Sequence, residues 1–243
     1  MNDKKAPTTV ATGGQPPPVR SDPRDVAEFL RAARTLRPDG AGKGRLILAL
    51  DATMSRQPTW DLACELQAEM FDAAAGTDRL AIQLVYFRGH GECRASRFVG
   101  DARALKELML KIDCRGGHTQ IGKVLSHALK ATAAEKVSAL VYIGDALEES
   151  IDDLADRAGE LGLRGVPVFV FQEGADAIAE RGFREIARLS RGAWFRFDRS
   201  AAATLARLLA SVAVYAAGGV KALAARGRPE DLLMLEHLEG RGK

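Results

Sequence analysis

The chain has 243 residues, of which 47% are hydrophobic and 28% are charged, with a formal net charge of +3. This length is enough for one substantial core, so we expect a single domain with extensions. The arginines are scattered among acidic residues, which argues against a nucleic-acid-binding surface. The three cysteines are too few and too far apart for a disulfide framework or a zinc-binding pair.

The two ends of the chain differ from its centre. Residues 1–22 are mostly Pro, Gly and polar residues, which predicts a disordered arm without a signal peptide, and with reduced thiols we expect a cytoplasmic protein. Residues 23–44 predict a short amphipathic helix and a linker. Residues 218–243 form a C-terminal tail, whose leucines could dock a short helix on the domain or on a partner (Leu232, Leu233, Leu235 and Leu238). The charge-free run between Arg207 and Lys221 is too short to span a bilayer.

Between residues 45 and 217, predicted strands alternate with predicted helices. Short apolar runs indicate five buried strands, at Leu46–Leu50, Arg79–Phe87, Val137–Ile143, Val166–Phe171 and Trp194–Phe197. Cys93–Val99 is expected to pair back on the second strand as a hairpin. Helices are expected over about 58–75, 102–112, 147–161 and 201–217, with others after Thr119 and around Phe183. The alternation predicts a doubly wound, mainly parallel six-stranded sheet with one antiparallel edge strand and helices on both faces.

Three polar side chains follow the first predicted strand at alternate positions: Asp51, Thr53 and Ser55. One carboxylate and two hydroxyls this close together can face a single point from one edge of a loop. Hard oxygen ligands suit Mg²⁺ or Mn²⁺, and the absence of His and Cys argues against zinc. The alternative is that these residues only cap the next helix.

Two further loops carry oxygen-bearing side chains. Asp145 follows the Val137–Ile143 strand, and Thr119 opens a helix either as its N-cap or with its hydroxyl presented to a site. Before Thr119, the paired glycines Gly116 and Gly117 would let the loop pack closely against a ligand. In a doubly wound sheet all of these loops lie at one edge, where ligands bind.

These motifs resemble those of the von Willebrand factor A (VWA) domain family. They are Asp51-x-Thr53-x-Ser55, Gly116-Gly117-His118-Thr119 and Tyr142-Ile143-Gly144-Asp145, and the resemblance runs from about Arg45 to about Ala217. In that family the motifs form the metal-ion-dependent adhesion site (MIDAS), with the pattern Asp-x-Ser-x-Ser, a distant Thr and a distant Asp. Thr53 departs from this pattern by replacing a Ser, and Ile143-Gly144-Asp145-Ala146 replaces the usual Thr-Asp-Gly.

The resemblance implies roles for five residues. Thr53 and Ser55 would bind the metal directly, Thr119 would be a direct or switchable ligand, and Asp51 and Asp145 would act directly or through water. Such a site leaves one direction open toward solvent, where a partner's Asp or Glu could bind. The implied function is therefore metal-dependent protein binding and not catalysis.

Two alternatives stay open at this point. The chain could be a VWA-fold scaffold with an unused metal site. It could instead be a metal-dependent phosphohydrolase of the haloacid dehalogenase type, which also places an Asp after its first strand. That family needs a second Asp two residues later as general acid, and here the position holds Thr53.

Overall fold

The computed structural model describes residues 44–53, 60, 61, 65, 80–197 and 202–239. The predicted N-terminal arm and helix, Ser55 and most of the helix predicted over 58–75 lie outside these residues. Within that last helix, Trp60, Asp61 and Glu65 are helical, and Trp60 is buried as its apolar character predicts.

Six strands of the described residues form one sheet. They are β1 (Gly44–Asp51), β2 (Leu80–Arg88), β3 (Glu92–Val99), β4 (Ala139–Gly144), β5 (Val168–Glu173) and β6 (Ala193–Phe197). Their order is β3-β2-β1-β4-β5-β6, and every pair is parallel except β2 with β3. The predicted fold class, with its antiparallel edge strand, is confirmed.

The described residues also form six helices. These are α1 (Ala102–Met109), α2 (Ile121–Ala134), α3 (Ile151–Leu163), α4 (Ala177–Ser190), α5 (Ala202–Arg226) and α6 (Pro229–Leu238). Side chains alternate across a strand, so β1 contributes Leu46, Leu48 and Leu50 to one core and Ile47 and Ala49 to the other. The first core is shared with α1, α5 and α6, and the second with α2, α3 and α4. Helices therefore cover both faces of the sheet.

The helix predicted to begin at Leu147 begins instead at Ile151. Ser150 is its N-cap, with the side-chain oxygen accepting a hydrogen bond from the amide of Asp153 at 3.5 Å. Leu147 is buried, but it lies in the preceding loop and packs close to Gly182 of α4. The apolar side chain of Leu147 therefore predicted its burial correctly, but the prediction that Leu147 begins the helix was wrong.

The chain beyond residue 217 continues as helix. The predicted domain boundary falls inside α5, which bends at Gly219, where φ is 67°. Leu223 of α5 and Met234 of α6 are fully buried in the core shared with the sheet. A short docked helix is thus present where the tail leucines suggested one, while the division into domains stays a prediction.

One described helical segment, Ala206–Arg226, is apolar and long enough to cross a membrane, with a mean hydropathy of 1.7. Half of it is buried within the protein, and Leu209, Val212 and Ala213 pack in the core beside the sheet. A core helix of a globular domain has these same properties, and the packing supports that interpretation.

Candidate metal site at the carboxyl edge of the sheet

The two predicted acidic ligands lie at the ends of neighbouring strands. Leu50 pairs with Ile143, so Asp51 closes β1 as β4 ends, and Asp145 follows β4 directly. Strand order reverses here, because β2 lies on one side of β1 and β4 on the other. Open sheets of this kind bind ligands at such a switch point. The backbone therefore brings Asp51 and Asp145 to the edge where a ligand is expected.

The turn after β1 is fixed by several hydrogen bonds. The Thr53 amide donates to Oδ1 of Asp51 at 2.8 Å, and the Ala52 amide donates to the carbonyl of Phe87 at 2.9 Å. The Ala52 carbonyl in turn accepts from the amide of Arg115 at 2.9 Å. Asp51 and Thr53 are only 4% and 8% exposed, so both are held in place within a largely buried turn.

The loop that carries Thr119 packs against the end of β2. The His118 amide donates to the Gly89 carbonyl at 3.2 Å, and a Cβ atom on Gly117 would overlap the backbone of Gly89. A Cβ atom on Gly116 would meet nothing within 4 Å. The close approach predicted for the paired glycines is therefore made by Gly117 alone, to another stretch of backbone.

Thr119 is joined to the loop after β4 by a reciprocal contact with Glu148. The Thr119 amide donates to Oε2 of Glu148 at 2.9 Å, and the Glu148 amide donates to Oγ1 of Thr119 at 3.1 Å. Thr119 is 7% exposed. The three predicted ligand loops are thus connected to one another by hydrogen bonds.

Glu149 caps α2 from a distant part of the chain. Its carboxylate accepts hydrogen bonds from the amides of Ile121 and Gly122, the second at 2.9 Å. The N-cap position of α2 is Gln120, whose side chain makes no capping bond, so the N-cap alternative for Thr119 is wrong. Sequence reasoning missed both Glu148 and Glu149. The sequence feature that could have indicated them is a pair of adjacent glutamates between a strand and Ser150, the N-cap of α3.

The two glutamates have opposite electrostatic environments. The hydrogen bond from the Thr119 amide is the main reason that the pKa of Glu148 is lowered, with His118 adding a smaller effect. Burial raises the pKa of Glu149, against the opposing effect of the two amides that it caps. His118 itself is 65% exposed, with Nδ1 3.2 Å from Glu148. Its position fits a supporting contact to the residue that holds Thr119.

Of the five predicted ligands, the structure describes Asp51, Thr53, Thr119 and Asp145, and Ser55 lies outside the described residues. Within the described part of the chain, no three His, Cys, Asp or Glu side chains form a group that could hold a metal ion. The predicted set contains only two such side chains and relies on hydroxyls for the rest. Its role in metal binding stays a prediction.

No protein-family model matches the sequence, and no curated protein matches it. Solved structures do match the fold. A von Willebrand factor type A protein from Catenulispora acidiphila has a TM-score of 0.58 at 19% identity, with 72% of this chain matching 43% of that one. A type V pilus tip protein domain from Porphyromonas gingivalis has a TM-score of 0.56 at 11% identity, over 71% of this chain and 94% of that one.

A third match bears on the site. Proximal thread matrix protein 1 from the mussel byssus, solved with zinc in its MIDAS motif, has a TM-score of 0.55 at 16% identity, over 71% of this chain and 48% of that one. The strand order, the antiparallel edge strand and these matches agree with one another. The chain therefore has the fold of the von Willebrand factor A domains.

Proposed function

We propose that the protein is a metal-dependent protein-binding module. Mg²⁺ or Mn²⁺ would be held at the carboxyl edge of the sheet by Asp51, Thr53, Ser55, Thr119 and Asp145. A partner's Asp or Glu side chain would complete the site. The observation that carries this proposal is the hydrogen-bonded connection of the three loops, from Ala52 to Arg115 and from Thr119 to Glu148.

The chemistry of the donor set fits such an ion. Carboxylate and hydroxyl oxygens are the ligands that Mg²⁺ and Mn²⁺ prefer, and the set has no nitrogen or sulfur ligand. Oγ1 of Thr119 accepts one hydrogen bond from Glu148, and a hydroxyl oxygen has a second lone pair. The zinc-occupied MIDAS of the mussel protein makes a divalent ion plausible here, while the ligand chemistry favours Mg²⁺ or Mn²⁺.

Binding is a better proposal than turnover. When bound, the ion would supply a positive charge that attracts a partner's carboxylate. The residues of this chain would hold that charge at a rigid edge and present it to solvent. The phosphohydrolase alternative lacks its general acid at Thr53, and the fold matches are VWA domains. A cytoplasmic location remains a prediction from composition.

The test is direct metal binding by the full chain. We expect Mn²⁺ or Mg²⁺ to raise the melting temperature of metal-stripped protein. At a hundredfold excess of the ion over Kd, the free energy of unfolding should increase by about 2.7 kcal/mol. Asp51→Ala should abolish this gain and stay folded by circular dichroism, whereas Asp152→Ala on the exposed start of α3 should keep it. A wild-type protein indifferent to both ions would refute the metal site and leave the scaffold alternative.

A further inference from the structure

A cavity of about 460 Å³ lies between α2 and α3. Pockets that hold small molecules span about 300 to 1,000 Å³, so this cavity is large enough for one. Three cationic side chains line it: Lys123 and Lys130 from α2, and Arg157 from α3. Two carboxylates, of Glu149 and Asp153, line it as well.

Among the described residues, none of the three cations forms a salt bridge with a carboxylate, although Lys123 and Arg157 both interact electrostatically with Glu149. Lys123 donates to the Gly91 carbonyl and to Oε1 of Gln120, both at 2.8 Å. Arg157 donates from Nε to Oγ of Ser126 at 3.1 Å and from Nη1 to the backbone carbonyl of Asp153 at 2.6 Å. Lys130 forms no hydrogen bond or ion pair within the described part of the chain. The charge of Lys130 therefore remains available to an anion, whereas the charges of Lys123 and Arg157 are partly offset by Glu149.

The two carboxylates oppose an anion less than their number suggests. The Glu149 carboxylate accepts hydrogen bonds from the first amides of α2, whose partial positive charge offsets part of its negative charge. Asp153 lies in the first turn of α3, where the positive end of the helix dipole likewise offsets part of its negative charge. The three cations outnumber the two carboxylates, so the lining of the cavity carries a net positive charge.

We propose that this cavity binds a small molecule that carries a phosphate group, held by Lys123, Lys130 and Arg157. Three cations that line one cavity match the charge of a phosphate monoester or diphosphate better than that of a single carboxylate. The guanidinium of Arg157 is already oriented by Ser126, so little freedom is lost when it binds an oxygen of the ligand. The site is separate from the proposed metal site and does not depend on it.

The test is calorimetric titration of the full chain with sodium pyrophosphate at constant ionic strength. Metal ions are removed beforehand with a chelating resin, so the result is independent of metal binding. We expect saturable binding of one pyrophosphate per chain. Lys130→Gln should weaken it at least tenfold without disturbing the fold, because Lys130 forms no hydrogen bond or ion pair among the described residues. Asp153→Asn should strengthen it severalfold.

Lys106→Gln, on the exposed face of α1, is the matched control and should bind as the wild type does. An equal loss in Lys106→Gln and Lys130→Gln would show a general effect of surface charge and overturn the proposal. So would a Lys130→Gln variant that binds as the wild type does, or a wild type that does not bind. Citrate serves as a carboxylate probe, and tighter binding of citrate than of pyrophosphate would overturn the assignment to phosphate.

Discussion

Thr119 and Glu148 hold each other through two reciprocal hydrogen bonds, amide to carboxylate at 2.9 Å and amide to hydroxyl at 3.1 Å. The residues are 29 positions apart, with Thr119 in the loop between α1 and α2 and Glu148 in the loop after β4. Each bond satisfies a backbone amide that would otherwise lack a partner in a partly buried loop. This contact therefore fixes the position of the hydroxyl that the proposed metal site requires.

Removing the Glu148 carboxylate should loosen the Thr119 loop. Because about half of the side chain is exposed, solvent screening limits its effect, and we expect Glu148→Ala to lower the free energy of unfolding by about 0.5 to 1 kcal/mol. Urea denaturation at pH 7 measures this change. Glu107→Ala, which removes an exposed ion pair on α1, is the control and should cost less than about 0.5 kcal/mol.

The same carboxylate predicts a pH dependence. The pKa of Glu148 is below its usual value of 4.5 in the folded protein, so its stabilisation is present above that pH. It is lost as the pH falls through the lowered pKa. Glu148→Gln should therefore differ from the wild type at pH 6 and approach it at lower pH. A constant difference between the two proteins across this range would contradict the assigned cause.

The adjacent glycines before Thr119 should tolerate substitution unequally. A Cβ atom on Gly117 overlaps the backbone of Gly89, which cannot move without disturbing the end of β2, so Gly117→Ala should cost about 1 to 3 kcal/mol. Gly116→Ala is the matched control, because its Cβ atom would meet open space. Thermal unfolding of both variants measures the contrast. Equal melting temperatures would show that the loop does not pack on β2 in this way.

The hydroxyl of Thr119 should matter for the metal beyond its effect on the fold. Thr119→Val removes a hydroxyl that accepts the Glu148 amide, and Thr132→Val removes one that accepts the Val137 amide at 3.1 Å, far along α2. Each should cost about 1 kcal/mol of stability. Only Thr119→Val should weaken Mn²⁺ binding, by tenfold or more, and Thr119→Ser should retain it. Equal Mn²⁺ affinity in both valine variants would exclude Thr119 as a ligand.

The sheet could be predicted from the sequence because its central strands are buried on both faces. Leu46 to Leu50 are at most 1% exposed, and such a run can only be a core strand or a core helix. Asp51 and Asp145 each follow a predicted strand. Because the carboxyl ends of parallel strands lie at the same edge of a sheet, both residues could be placed at that edge. These inferences need only local patterns and one rule of topology.

The connections within the site could not be predicted, because they join distant positions. Glu149 caps α2 from 28 residues further along the chain, so no local spacing reveals it. Apolar character also failed to give side-chain orientation. Ile178 is 54% exposed on α4, and in α6 the fully buried apolar residue is Met234, while Leu232 and Leu233 are 53% and 41% exposed. Which of these side chains are buried depends on tertiary packing, and local sequence patterns do not reveal that packing.

The C-terminal segment should be essential to the stability of the domain. Asp231 of α6 is fully buried and pairs with Arg226 at the end of α5, with Nε 2.7 Å from Oδ2. Arg226 also donates to Ser211 at 2.8 Å, so the pair joins α6 to the middle of α5. Burial alone would raise the pKa of Asp231, but hydrogen bonds to its carboxylate from the side chains of Arg226 and Ser211 and from the amide of Arg228 lower it overall.

Asp231→Ala would leave the Arg226 guanidinium buried without its carboxylate. Breaking a buried pair by removing one partner typically costs about 3 to 5 kcal/mol, and we expect a loss near the lower value because Arg226 is 17% exposed. Glu236→Ala, on the exposed side of the same helix, is the control and should change stability by less than about 0.5 kcal/mol. Urea denaturation of the full chain measures both. If Asp231→Ala were as stable as Glu236→Ala, α6 would not be held on the domain by this ion pair.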